Sequence, residues 1–311
     1  MNDEVCLSLC IPTNGIIEWV IPTVDSIYAS ACDPAQFEVI VTDNGSNTEF
    51  EGLMHEYEKR YPNFIYKKTN ALLFLNQIES FKLANGKLIK FVNHRMTLLP
   101  NALDSLICFV EENDEKKPSV YFSNGFLKQD PVRKECRSFD EYVRTLSYWS
   151  SWSAGTAIWK SEFDKMDLSR EFNRLFPHTD IVFNNRNNSS YIVDDTPLMR
   201  NLPADNTKKG SYDLFYAFAV EYPRIIERLH EDGSITRKTL SYVKKKNRRF
   251  VSQLYADYVL RKKPCSYDLS GFEKAMGKYY SRYEICCGAV WAEIKALAKN
   301  TIKGRAVPII F

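Results

Sequence analysis

The chain alternates short apolar runs with amphipathic stretches over its first two hundred residues. VCLSLCIP (5–12) is an apolar run halted by Pro-Thr-Asn-Gly, which predicts a buried strand and a turn. IIEWVIPTVDSIYAS follows with apolar residues at helical spacing, in a helix that Pro22 either starts or kinks. FEVIVTDNGS predicts a second strand with a turn-forming end, EFEGLMHEYEKRY a second helix and FIYKKT a third strand. LFLNQIESFKLAN predicts a third helix with Gly86 as its C-cap, and KLIKFVN a fourth strand. The β-α-β-α order implies an α/β fold with a parallel sheet and crossover helices. ALDSLICFVEEN then predicts a helix, PSVYFSN a fifth strand, TAIWKSEF a strand, FPHTDIVF the start of a helix and SSYIVDD a late strand. Residues 128–155 are irregular and read as a loop or short helices, and from Lys209 the pattern is helical to the end.

Ligands of open parallel sheets bind at the carboxyl ends of the strands, so the residues after each apolar run are the candidates for chemistry. Strand one ends in Pro12-Thr13-Asn14, strand two in Asp43-Asn44-Gly45-Ser46 and strand four in Asn93-His94-Arg95. Gly45 and Ser46 can bend the chain so that Asp43 presents its carboxylate to a base N–H or to ribose hydroxyls. Equally, Asp43 could cap the next helix. No G-x-G-x-x-G or G-K-[ST] occurs, which argues against dinucleotide and P-loop sites.

The strings LSLCIPTN, FEVIVTDNGS and NQIESFKLANGKLIKFVN, closing on TLLPNAL, resemble the amino-terminal half of family 2 glycosyltransferases. The resemblance extends more loosely through SAGTAIWKSEF and FPHTDIVF, and the carboxy-terminal third resembles the helical tails of an abequosyltransferase-like subgroup. It implies a GT-A domain over residues 1–205, a helical and basic region over 206–311, and a nucleotide diphosphate sugar as donor. It also implies inverting transfer to a glycan or lipid-linked glycan in cell-surface polysaccharide synthesis. By position, Pro12, Thr13 and Asp43 would hold the nucleoside, Asn76 would line the same cleft, and Asp180 would be the base that deprotonates the acceptor. Asp180 also reads as an acid favoured by a helix N-terminus, and Asp194 and Asp195 are the fallback bases. Where the family carries an Asp-x-Asp element, this chain has His94, Arg95 and Met96. A hard divalent cation wants oxygen ligands, so this replacement puts a divalent metal in doubt. Arg95 could grip the diphosphate in its place, with His94 assisting if protonated; a site that binds without catalysing is the alternative.

Composition adds three points. Aromatics make up 14% of the chain, and Trp149, Trp152 and Trp159 bracket a small-residue turn that suits either a sugar platform or core packing. The eight cysteines show no C-x-x-C pair and no apolar leader follows MNDEV, so free thiols in a reducing cytoplasm are expected. From Thr236 onward 17 Lys and Arg face 5 Asp and Glu, an excess of 12 positive charges within a chain of net charge +3. Lys244–Arg249 and Arg261–Lys263 make an anionic membrane surface a candidate partner, with the protein peripheral on the inner face. No RNA-binding motif is present, which makes nucleic acid the weaker partner.

Overall fold

The structure is a computed structural model and describes residues 5–203 and 205–304. The chain divides into two compact units, residues 1–204 and 205–311. Unit one is built on a five-stranded sheet of order β3-β2-β1-β4-β8, from β1 (Leu7–Thr13), β2 (Phe37–Asp43), β3 (Phe64–Lys68), β4 (Leu88–Phe91) and β8 (Ala157–Trp159). β1 to β4 are parallel and β8 closes the edge antiparallel to β4. Both central strands, β1 and β2, are buried almost throughout, as expected of parallel strands covered on two faces.

Helices α1 (Ile17–Tyr28), α2 (Thr48–Arg60) and α3 (Asn76–Lys82) make the crossovers, and α4 (Ala102–Asn113) follows. Pro22 does not start α1, which begins five residues earlier; next to it, Thr23 Oγ1 donates to Trp19 O at 2.8 Å. Asn47 caps α2 by accepting from Glu49 N and Phe50 N at 3.1 and 3.2 Å, a contact worth about 1 kcal/mol. Gly86 is not the cap of α3, which ends at Lys82. It lies where the chain crosses β1, and a Cβ there would sit 2.7 Å from Leu7 C and Ser8 N. Buried Glu38 fixes that crossing, its Oε1 accepting from Asn85 N and Ser8 Oγ, both at 2.6 Å.

The strand expected in PSVYFSN forms, but outside the main sheet. β6 (Ser119–Phe122) joins β7 (Arg133–Cys136) and β9 (Tyr191–Asp194) in a second sheet of order β6-β9-β7. The region 128–155 is also more regular than its sequence suggests, because it contains β7 and helix α5 (Phe139–Leu146), capped by Ser138. α6 (Lys160–Phe163) and α7 (Pro177–Val182) are short, and β5 (Met96–Leu98) pairs antiparallel with β10 (Met199–Asn201) just after β4.

Unit two is helical. α8 (Leu214–Tyr216) runs through a π-helical turn into α9 (Tyr222–Glu231), followed by α10 (Arg237–Tyr255), α11 (Phe272–Ala275) and α12 (Arg282–Gly304). Phe215, Val220, Val251, Phe272 and Ile285 form its core. Residues 305–311, included in the expected helical region, lie outside the described residues.

Candidate functional site

The sheet order sets the site. β2 lies on one side of β1 and β4 on the other, so the chain reverses direction across the sheet between β1 and β4; in open parallel sheets such a reversal marks the ligand crevice, outside the carboxyl ends of the strands. Thr13, Asp43 and Lys68 end the neighbouring strands β1, β2 and β3, while Asn93, His94 and Arg95 follow β4.

At the β2 end the Asp43 carboxylate is fully buried and supplied from inside the fold. Gly45 N donates to Oδ1 at 2.7 Å, and Tyr66 Oη and Lys68 Nζ donate to Oδ2 at 3.1 and 2.8 Å. Burial, then the Asp43 charge, push the Tyr66 hydroxyl well above its ordinary pKa, so it remains a donor. The helix-cap reading of Asp43 fails, since Asn47 caps α2. The carboxylate, expected to face a base N–H or ribose hydroxyls, is instead occupied by these three donors, and beside it the Lys68 side chain is 37% exposed. The turn is close-fitting, because a Cβ on Gly45 would lie 2.0 Å from Asn14 O.

Asn76 is 3% exposed and works as a clamp rather than as a lining group. Its Nδ2 donates to Thr13 O at 3.2 Å and Thr42 O at 2.8 Å, and its Oδ1 accepts from Thr69 Oγ1 at 2.8 Å. One amide thereby ties together the ends of β1, β2 and β3, and leaves no donor over for a ligand.

At the β4 end, His94 Nδ1 meets Thr13 Oγ1 at 2.8 Å, a bond that links the ends of β1 and β4. Thr13 Oγ1 also accepts from Gly15 N at 3.1 Å, and Pro12 is half-buried beside it. Burial, and secondarily the Arg95 charge, push the His94 pKa down to about 3. His94 is therefore neutral near pH 7 and offers hydrogen bonding rather than the positive charge considered above. Trp19 of α1, 4% exposed, packs against both neighbours: its ring meets His94 edge-on at 5.2 Å, and the Arg95 guanidinium lies 5.8 Å from its centroid.

These residues do not fit a divalent cation. Between Asn93 and Thr97 there is no carboxylate, Arg95 brings a positive charge, and Met96 is buried in β5. Among the described residues no three His, Cys, Asp or Glu side chains come together.

The sequence profile of "Glycosyl transferase family 2" matches residues 8–165, just over half of the chain and all of the main sheet but its first residue, Leu7. The chain belongs to glycosyl transferase family 2. Its structure is similar to that of S. aureus TarS residues 1–349 in complex with UDP-GlcNAc, with a TM-score of 0.61 and 13% identity over 88% of this chain and 80% of that one. The same TarS fragment in complex with UDP gives a TM-score of 0.57, again at 13% identity with 88% and 80% covered. At that identity the likeness is one of fold, and the fold is of the GT-A type with a helical carboxy-terminal region. No curated protein sequence matches the chain.

In this family 2 chain, Asp180 stands in the first turn of α7, which Pro177 starts. Its Oδ2 accepts from Asn173 N at 2.7 Å, so the preceding loop fixes its orientation. His178 is buried, with its pKa lowered to about 4 by burial, and its Nε2 meets Ser151 O at 2.9 Å. The fallback acids are committed to structure. Asp194 pairs with Arg133 Nε at 2.9 Å, and Asp195 accepts from Ser123 Oγ at 2.5 Å and from Leu127 N and Gln129 N at 3.1 Å.

The three tryptophans separate. Trp159 is a core residue, 2% exposed, with Nε1 donating to Pro118 O at 2.8 Å. Trp149 and Trp152 are half-buried and join Phe126, which stacks on Trp149 at 5.1 Å and meets Trp152 edge-on at 5.0 Å. The single Tyr121 hydroxyl lies within hydrogen-bond reach of both Trp149 O and Trp152 O and so ties down this aromatic turn. Buried Lys90 holds it from β4 by donating to Ala154 O and to Phe91 O; burial lowers its pKa to about 7.

Tyr66, Lys68, Trp19 and Lys90 were missed in the sequence reading. The alternation of FIYKKT already put Tyr66 and Lys68 on one face of β3, and the parallel register with Lys68 opposite Asp43 is what turns that face toward the carboxylate. For Trp19 and Lys90 the sequence carried no signal beyond their being an aromatic and a charged residue in apolar runs.

Proposed function

We propose that the chain is an inverting glycosyltransferase that moves a sugar from a nucleotide diphosphate donor to a glycan or lipid-linked glycan acceptor in polysaccharide synthesis. The observation that carries this reading is the Thr13–His94 contact between the ends of β1 and β4 in a family 2 sheet, with Asp43 and Lys68 on the adjoining strand ends. Pro12, Thr13 and His94 take the nucleoside together with the Asp43–Lys68 pair. Lys68 offers a cation to a base carbonyl while Asp43 holds that cation in place.

The diphosphate needs positive charge as it leaves, and the chain supplies this with the Arg95 guanidinium, which suits phosphate oxygens in two-pronged fashion. Asp180 accepts the proton of the attacking hydroxyl as the new bond forms on the face opposite the diphosphate. The exposed ring of Phe126 and the half-buried rings of Trp149 and Trp152 offer the apolar face that a sugar stacks on. The UDP-GlcNAc named with the TarS fragment supports a nucleotide sugar as the class of donor.

Thermal-shift measurements with UDP-, GDP-, CMP- and dTDP-sugars, each with Mn²⁺ and with EDTA, test the reading. One of them raises the melting temperature equally in both conditions; no rise with any would end it. The loss of every acid from Asn93 to Met96 favours a second reading, a silent binding protein of the same fold. Donor hydrolysis by the purified chain excludes that second reading.

A further inference from the structure

Helix α12 has two unlike faces. One is packed: Ile285 and Ala289 are fully buried, and Gly288 approaches α10 so closely that a Cβ would lie 2.4 Å from Ser252 Oγ. The other carries Tyr283, Val290, Trp291 and Ile294, which are 78%, 53%, 58% and 50% exposed, with the exposed thiol of Cys287 between them. Their spacing places all five on one stripe of the helix, about 16 Å long at 1.5 Å per residue. Isolated apolar side chains on a surface are ordinary, but a row including Tyr and Trp on a single helix is an attachment surface.

Charge selects the occupant. The acids of this helix are engaged by arginines from elsewhere in the unit, Glu284 by Arg248 and Glu293 by Arg261, the latter at 2.8 Å. Arg282 reaches Glu273 at 3.3 Å, and Lys295 Nζ lies 5.3 Å from the Trp291 ring. Lys245, Arg249, Lys262 and Lys278 are exposed as well. With 17 basic against 5 acidic residues from Thr236 onward, a second copy on this stripe would set one positive field against another. Anionic phosphates around an apolar interior match both features.

We propose that the exposed face of α12 docks the protein on an anionic lipid surface, with Tyr283, Val290, Trp291 and Ile294 entering the headgroup layer and Lys295, together with other exposed lysines and arginines of this basic unit, meeting lipid phosphates. Tyr and Trp suit that layer because each joins an apolar ring to a polar edge. The helix lies in the plane of the surface, since among the described residues no helix is long and apolar enough to cross a membrane. This docking is independent of the proposed reaction.

Vesicle flotation with the full chain tests it, using phosphatidylcholine alone and phosphatidylcholine mixed with phosphatidylglycerol. The protein floats with the mixed vesicles, and added salt weakens that binding. The double substitution Trp291→Gln and Ile294→Gln, at exposed positions that leave the fold intact by circular dichroism, lowers the partition coefficient roughly tenfold or more. Absence of flotation with the mixed vesicles overturns the proposal, as does equal flotation of the double variant. Light scattering that shows a dimer in the unsubstituted chain and a monomer in the variant assigns the stripe to a second copy and overturns it too.

Discussion

The two ends of the crevice handle charge in opposite ways. At the β2 end an acid is buried and its charge is met within the fold, by Lys68, the Tyr66 hydroxyl and the Gly45 N–H. At the β4 end no acid is present, and a guanidinium stacks near Trp19 beside a histidine kept neutral by burial. A buried carboxylate that is matched from inside serves as scaffold and holds a cation in position. A strand end without acids offers few oxygen ligands to a hard cation, and under the proposed reading the negative charge that arrives there is met by Arg95.

The largest effect expected from disturbing this contrast is at Arg95. Arg95→Ala lowers turnover by on the order of a hundred- to a thousandfold, the scale for loss of one preorganised donor to a developing anion, while EDTA leaves the unsubstituted enzyme unchanged. Steady-state rates with and without chelator check this, and normal turnover by the variant would remove Arg95 from the mechanism. At the other end the response is in stability. Asp43→Asn leaves the Lys68 ammonium and the Tyr66 hydroxyl facing an amide, at a cost of about 1–3 kcal/mol in urea unfolding. Lys68→Met costs less, about 1 kcal/mol or under, because that side chain is 37% exposed and solvent screens its charge. Equal losses from the two substitutions would mean that Asp43 depends on Lys68 far more than burial suggests.

A further expected effect is the pH response of His94. Its pKa falls from 6.5 in the unfolded chain to about 3 in the fold, so between these values the unfolded state binds the extra proton. Stability is therefore lost as pH falls from about 6.5 toward 3, and His94→Gln flattens that part of the curve. Melting temperatures of the two proteins across pH 7 to 4, a window set by these pKa values, run parallel if His94 is instead charged in the fold.

Much of this contrast could be read in the sequence. The apolar runs ending at Thr13, Asp43 and Asn93 located three strand ends, because parallel strands buried on both faces leave an uninterrupted apolar string. What stayed hidden depends on pairing between distant segments. Nothing local in SVYF sends β6 out of the main sheet to join β9, and RKEC does not look like a strand because β7 is an edge with its charged side chains outward. Gly86 resembled a helix cap because capping and close approach both call for glycine, and only the crossing over β1 separates them. Asn76 was placed in the cleft by its position alone, whereas its bonds to Thr13, Thr42 and Thr69 belong to the scaffold.

Lys90 has a bearing on chemical reactivity. An amine whose pKa lies at about 7 is about half deprotonated at neutral pH and hence intrinsically nucleophilic, yet at 1% exposure it is shut away from any acylating reagent. Its strand pairs with β8 and its amine donates to Ala154 O, so we expect modification to follow local opening at β8 and the aromatic turn. The labelling rate of this one lysine is thus a clock for the opening of the sheet edge beside the crevice.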